Sequence, residues 1–193
     1  MTMFQVIMLA VTGFLAFKVY EHINGLEDSD TVNKESLPPQ KPASFSPEVL
    51  EEKADKAFEE GDIEAAKKLL EEAYAKEKNS IDILNKLGFI ASQEEDYKTA
   101  IEYANLALEI DSEDSSVYGA LASFYRHEKA FEKSQEHFEK AIVLDDSNEF
   151  THFNYANLLL DMNDKKRAKV HYQKALLLKP DFIQAQFELD KLS

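Results

Sequence analysis

Polar residues suited to opening helices recur along this chain at a fixed interval. Ser46, Ser80, Asp114 and Asn148 lie 34 positions apart. Each carries a side-chain oxygen able to accept from the free N–H groups of a first helical turn. A second series is offset by 16 positions, at Asp62, Asp96, Ala130 and Asp164, and only Ala130 breaks it. Small residues keep the same phase. Ala54, Gly88, Ala122 and Ala156 fall on the first helix of each unit. Ala66, Ala100, Ser134 and Ala168 fall on the second, as do Ala73, Ala107, Ala141 and Ala175. Bulky groups sit between them: Leu87, Leu121 and Tyr155 on first helices, Leu70, Phe138 and Tyr172 on second ones. The spacing predicts an all-α chain with two short helices in each 34-residue unit. Small side chains would let helix backbones approach, and large ones would fill the remaining space to native density.

A hairpin of two short helices cannot bury its apolar face alone. Four of them, over residues 47–80, 81–114, 115–148 and 149–182, would stack into one continuous core in which each touches its neighbours. Ser46-Pro47 is a fitting start, a cap followed by proline in the first turn. After the fourth unit, Phe182, Ala185 and Leu189 form the apolar side of a last helix over residues 182–192. Asp181 and Gln184 give it a start resembling a capping box, and it would cover the open end of the stack. One irregular bundle of helices is the competing architecture, and the strict phase of three kinds of marker argues against it.

The fourth unit contains Tyr155-Ala156, Leu159, Ala168, Tyr172, Ala175 and Pro180. The third contains Leu121-Ala122, Tyr125, Phe138 and Ala141, and the second Leu87-Gly88, Ala100 and Ala107. The first holds Lys53-Ala54 and the turn Gly61-Asp62-Ile63-Glu64-Ala65-Ala66. This pattern resembles the tetratricopeptide repeat. The resemblance covers residues 47–193 and implies a right-handed α-α superhelix, a solenoid of four helical hairpins plus a C-terminal capping helix. Three features depart from the family pattern. The closing proline occurs only at Pro180, the opening aromatic only at Tyr118, and Ala104 stands where a large aromatic is usual.

The N-terminus is different in kind. Residues 3–20 are nearly all apolar, and as a helix they would span roughly 27 Å, close to a hydrocarbon core. Lys18 and Tyr20 suit the interface. Residues 1–22 therefore read as a single transmembrane anchor. The competing readings are a cleaved signal peptide, which lacks a preceding basic residue and a following A-x-A site, and a helix packed on the repeats. Residues 23–46 are polar, with Pro38, Pro39 and Pro42, and read as a disordered linker. Basic residues flank the anchor only on its C-terminal side, at Lys18, Lys34 and Lys41. That leans toward a repeat domain on the cytoplasmic face, with a periplasmic or extracytoplasmic domain as the alternative.

The formal net charge of −15 disfavours nucleic acid and anionic lipid headgroups as partners, because their phosphates would be repelled. With no cysteine, the chain carries no disulfide or thiol chemistry. The five histidines, His22, His127, His137, His152 and His171, read as exposed helix residues. His137 and His171 occupy equivalent places in adjacent units, but no third ligand accompanies them. No phosphate loop, nucleophile elbow or zinc motif occurs, so neither an enzyme nor a cofactor site is expected.

The resemblance supplies a better candidate, a concave surface lined by the first helices that binds an extended peptide or a helix of a client protein. Carried over by place in the repeat, it includes Asn85, Lys86, Phe89 and Gln93 in the second unit. It continues through Ser123, Arg126 and His127 in the third, and Phe150, Phe153, Asn154 and Asn157 in the fourth. The amides suit a peptide backbone, Lys86 and Arg126 a carboxylate, and the phenylalanines apolar anchoring. Glu51, Asp55 and Ser116 stand where the family's clamp for chaperone C-termini needs basic residues and asparagines, so that mode is not expected. The expectation is a membrane-anchored scaffold, an adaptor or assembly factor. A self-associating homo-oligomer is the alternative, with the acidic first unit meeting the Lys86 and Arg126 region head to tail.

Overall fold

A computed structural model describes residues 45–192. The expected anchor and nearly all of the expected linker lie outside the described residues. Among the described residues there are nine helices and no strand, and no helix is long and apolar enough to cross a membrane.

The helices pair in sequence. α1 (Pro47–Glu59) packs on α2 (Ile63–Lys76), α3 (Ile81–Gln93) on α4 (Tyr97–Ile110), α5 (Ser115–His127) on α6 (Phe131–Leu144), and α7 (Glu149–Asp161) on α8 (Lys165–Leu178). A short α9 (Ile183–Asp190) lies against α8. Each hairpin also meets the next, through α2 with α3, α4 with α5, and α6 with α7, and α5 touches α7 directly.

Local chemistry explains the starts. Asp62, Asp96 and Asp164 accept from the backbone N–H of Ala65, Thr99 and Arg167. Ser80 accepts from Ile83, and Asp114 and Asn148 each accept from two first-turn amides. Ala130 occupies the corresponding place without a side-chain bond. Two expected caps differ. Ser46 precedes Pro47 but makes no side-chain capping bond. The expected capping box at Asp181 and Gln184 does not form, because Phe182 is the capping residue and α9 starts one position later.

The turn inside every hairpin is the same. Gly61, Glu95, Lys129 and Asn163 have φ of 80°, 60°, 60° and 63°. The next residue in each turn donates its N–H five residues back: Asp62 to Ala57, Asp96 to Ala91, Ala130 to Tyr125, and Asp164 to Leu159. This is a Schellman closure that ends the first helix, and the donor residue then caps the second. One tight turn thus reverses the chain four times, and only the first uses glycine for the left-handed residue.

The small positions lie where helices cross. Ala54, Ala122, Ala156, Ala66, Ala100, Ala168, Ala73, Ala107, Ala141 and Ala175 are all buried. A Cβ added to Gly88 would meet the Ala100 carbonyl oxygen and Tyr103 Cβ at 3.6 Å, ordinary contact. Among them stand the buried Leu70, Leu121, Phe138, Tyr155 and Tyr172. The last helix buries Ala185, but Ile183 and Phe187 are 79% and 60% exposed. Its outer side is therefore more apolar than expected of a cap.

Candidate peptide groove

Three adjoining hollows run along the first helices. One, of about 550 Å³, lies between α1 and α3 and is lined by Asp55, Phe58, Glu59, Asn85, Lys86 and Phe89. Asn85 and Phe89 also line the next, of about 430 Å³, which reaches Ala104, Ser116, Ser123 and Asn154. The third, of about 140 Å³, shares Ser116, Ser123 and Asn154 and extends to Asn148, Phe150 and Thr151. Shared walls make these one trough across α1, α3, α5 and α7.

Six of the residues expected on a binding surface come together there: Asn85, Lys86, Phe89, Ser123, Phe150 and Asn154. Phe89 is 49% exposed, with its ring tilted against Phe58 at 5.8 Å between centroids. Phe150 is 50% exposed and meets Phe182 edge-on at 5.3 Å. The Ser123 hydroxyl donates to the Gly119 carbonyl at 3.0 Å, which leaves its oxygen able to accept.

The other five, Gln93, Arg126, His127, Phe153 and Asn157, line none of these three hollows. Lys86 is already paired with two carboxylates of its own chain. Its ammonium lies 2.8 Å from Glu51 Oε1 and 2.7 Å from Asp55 Oδ1, both on α1. Partial burial pulls its pKa down, but the hydrogen bonds to Asp55 and Glu51 prevail and hold it above the ordinary lysine value. Arg126 is likewise taken, its Nε 2.6 Å from Asp161 Oδ2. The acidic first unit thus meets Lys86 within one chain. His127 is exposed, stacks on Tyr97 at 4.6 Å and shares with Arg126 a separate hollow near the helix ends. Gln93 is exposed at the end of α3 and lines none of these hollows. Phe153 is half-buried and packs against the core, between Tyr172 and Phe182 at 5.7 and 4.9 Å. Asn157 accepts a 2.5 Å bond from the Tyr172 hydroxyl and ties α7 to α8. Burial pushes that phenol up to about 12.

Sequence reasoning missed Phe58, Phe124, Ala120 and Leu84 as lining residues. Their signal is weak, because each also fits an ordinary packed helix face.

The histidines need correction. His171 meets His152, not His137: the two Nδ1 atoms are 3.1 Å apart, and His152 is only 2% exposed. Asp146 Oδ1 lies 3.1 Å from His152 Nε2. Burial, followed by the charges of His152 and Arg167, pushes His171 down to about 4. His137 is half-buried against Tyr118 and Tyr125, and burial lowers its pKa too. Helix faces that look polar in the sequence are covered here by the partner helix of the same hairpin. Among the described residues, no group of three or more His, Cys, Asp or Glu is placed to hold a metal ion.

Two family models, both described as tetratricopeptide repeat, match the chain, one over residues 57–124 and the other over residues 115–148 and 151–182. No curated protein matches it in sequence. Among solved structures it is similar to one chain of the APC/C heterotetramer Cut9-Hcn1, at 21% identity and a TM-score of 0.70. That match covers 77% of this chain but only 30% of the other. PilF of Pseudomonas aeruginosa aligns at 22% identity and a TM-score of 0.68, over 76% of this chain and 67% of its own. YrrB, described as a TPR protein with an unusual peptide-binding site, aligns at 17% and 0.64, over 76% of this chain and 75% of its own. At such identities the likeness concerns the fold. The matched models and the fourfold hairpin agree: this chain belongs to the tetratricopeptide repeat family.

Proposed function

We propose that this protein is an interaction scaffold that holds an extended segment of a client protein in the trough along α1, α3, α5 and α7. The observation that carries the reading is the set of uncommitted groups there. Asn85 and Asn154 make no side-chain hydrogen bond to another described residue, and half of the Phe89 surface is open. An amide offers donor and acceptor together, as an extended backbone requires. Exposed aromatics supply desolvation at low entropic cost. The peptide site named for YrrB is in keeping with this as an analogy of fold. No chemistry is assigned to the trough.

Residues 3–20 support a membrane tether, and the basic residues after them favour a cytoplasmic repeat domain, with an extracytoplasmic one as the alternative. An adaptor or assembly-factor role follows from tether and trough together. The test is binding of display-selected peptides to the full chain. Phe89→Ala combined with Asn154→Ala should weaken them at least tenfold, roughly. Unchanged affinity removes the trough from the account.

A self-associating scaffold is the second reading, now favoured by Ile183 and Phe187 on α9 instead of by charge. Sedimentation of the full chain over a wide concentration range decides it. A species that dissociates in Ile183→Glu supports this reading, and a strict monomer removes it.

A further inference from the structure

The second repeat lacks a side chain that the other three have. Leu70, Phe138 and Tyr172 occupy one place in their units, and all three are fully buried. Ala104 holds that place in the second unit and is 5% exposed. Its small side chain does not fill the space, and the hollow of about 430 Å³ reaches down to it. Leu84 and Gly88 of α3 and Phe124 of α5 form the deep walls. The Phe124 ring leans over Gly88, 4.0 Å from where a Cβ would stand. Asn85, Ser123 and Asn154 ring the mouth. None of the residues lining this hollow is charged.

The neighbouring hollow has the opposite character. It shares Asn85 and Phe89 with the first and adds Phe58, Asp55, Glu59 and Lys86. Lys86 is already neutralised by Glu51 and Asp55. Three carboxylates against one ammonium leave this end negative, beside two aromatic faces. Such a place attracts a cation by charge and by ring quadrupole.

We propose that the gap at Ala104 is a specificity slot for one large uncharged side chain of an extended client segment, with a lysine or arginine of the same segment seated between Phe58, Phe89 and the carboxylates of Asp55 and Glu59. The proposal rests on the peptide-binding reading of the trough and narrows it to a partner class. The client is a basic-apolar segment. Acidic segments are repelled at the α1 end, and segments without a large apolar residue leave the slot unfilled.

The experiment uses the full chain and pools of N-acetylated, C-amidated nonapeptides with one fixed central residue and degenerate flanks. Pools centred on Phe, Trp, Leu or Met should bind at least about tenfold more tightly than pools centred on Ala or Asp. Sequencing the retained peptides should show Lys or Arg enriched beside that residue. Ala104→Phe should erase the central preference and keep the basic one. Glu59→Lys should do the reverse. Ser123→Leu, which narrows the mouth and gives up only a bond within α5, repeats the first test should Ala104→Phe fold poorly; a thermal melt of each variant checks folding. Bound peptides that lose affinity in Asn154→Ala but not in Ala104→Phe or Ser123→Leu would sink the slot and leave the trough standing. Enrichment of Asp or Glu would sink the basic half of the proposal. Retention of no pool by the wild-type chain would overturn the slot and the peptide-binding reading together.

Discussion

The Ser134 hydroxyl donates a 2.6 Å hydrogen bond to the backbone carbonyl oxygen of Ala122 across the third hairpin. A side chain can reach a helix backbone only where both helices carry small residues at their crossing. Both residues are fully buried. The contact shows why the small positions recur at fixed phase: they set the distance between helices.

Ala122→Leu tests that distance. The site has no free space, so the larger side chain must push α5 from α6. We expect a loss of ~1–3 kcal/mol in urea unfolding. Gly88→Ala should act oppositely, because its new Cβ meets neighbours at ordinary contact distance. It should gain roughly 0.5–1 kcal/mol from the reduced entropy of the unfolded chain.

The third turn pairs a left-handed Lys129 with an uncapped Ala130. Lys129→Gly relieves the backbone and Ala130→Asp restores the cap found at Asp62, Asp96 and Asp164. We expect a gain of up to about 1 kcal/mol from the first, a left-handed strain of roughly 1–2 kcal/mol less the entropy glycine loses on folding, and ~0.5–2 kcal/mol from the second, seen as a higher Tm. A lower Tm in either variant would contradict this account of the turn.

His171 makes the fold sensitive to acid. Its folded pKa of about 4 lies below the unfolded value of 6.5, so the unfolded chain binds the extra proton between them. The stability present above pH 6.5 is therefore lost as pH falls toward 4. Asp146, Glu139, Arg167 and His152 all face this ring, with burial the leading cause. His171→Gln should flatten the fall in Tm between those limits; an unchanged slope would assign the acid response to other groups.

Much of the fold was legible because its causes are local. A capping oxygen acts within three residues, and a small residue at a crossing recurs with the unit. The left-handed residues at 95, 129 and 163 were not legible, because Glu, Lys and Asn stand where glycine would have announced them. The site was read less well. Whether Lys86 is free depends on Glu51 and Asp55 more than thirty residues away, and Asn157 on a tyrosine of the next helix. Repeat place alone assigned Phe153 to the trough, but its ring packs against Phe182 at the edge of the core. Ala104 stood out in the sequence as a departure, and only the packing around it turned the departure into an open space.

Because Lys86 and Arg126 are paired within the chain, a free C-terminal carboxylate gains no grip in the trough. Free-acid and amidated forms of a bound peptide should have affinities within about twofold in calorimetric titration. A tenfold preference for the free acid, roughly, would mean that one of these pairs opens on binding.

The central claim is that the client lies along the first helices. Photo-crosslinking residues placed singly in the full chain within its own cells test it most directly. Phe89 and Ser123 line the trough, whereas Val143 and Leu177 are 81% and 75% exposed on second helices. The account predicts a discrete adduct from positions 89 and 123 and none from 143 and 177. Adducts from the second-helix positions alone would contradict it.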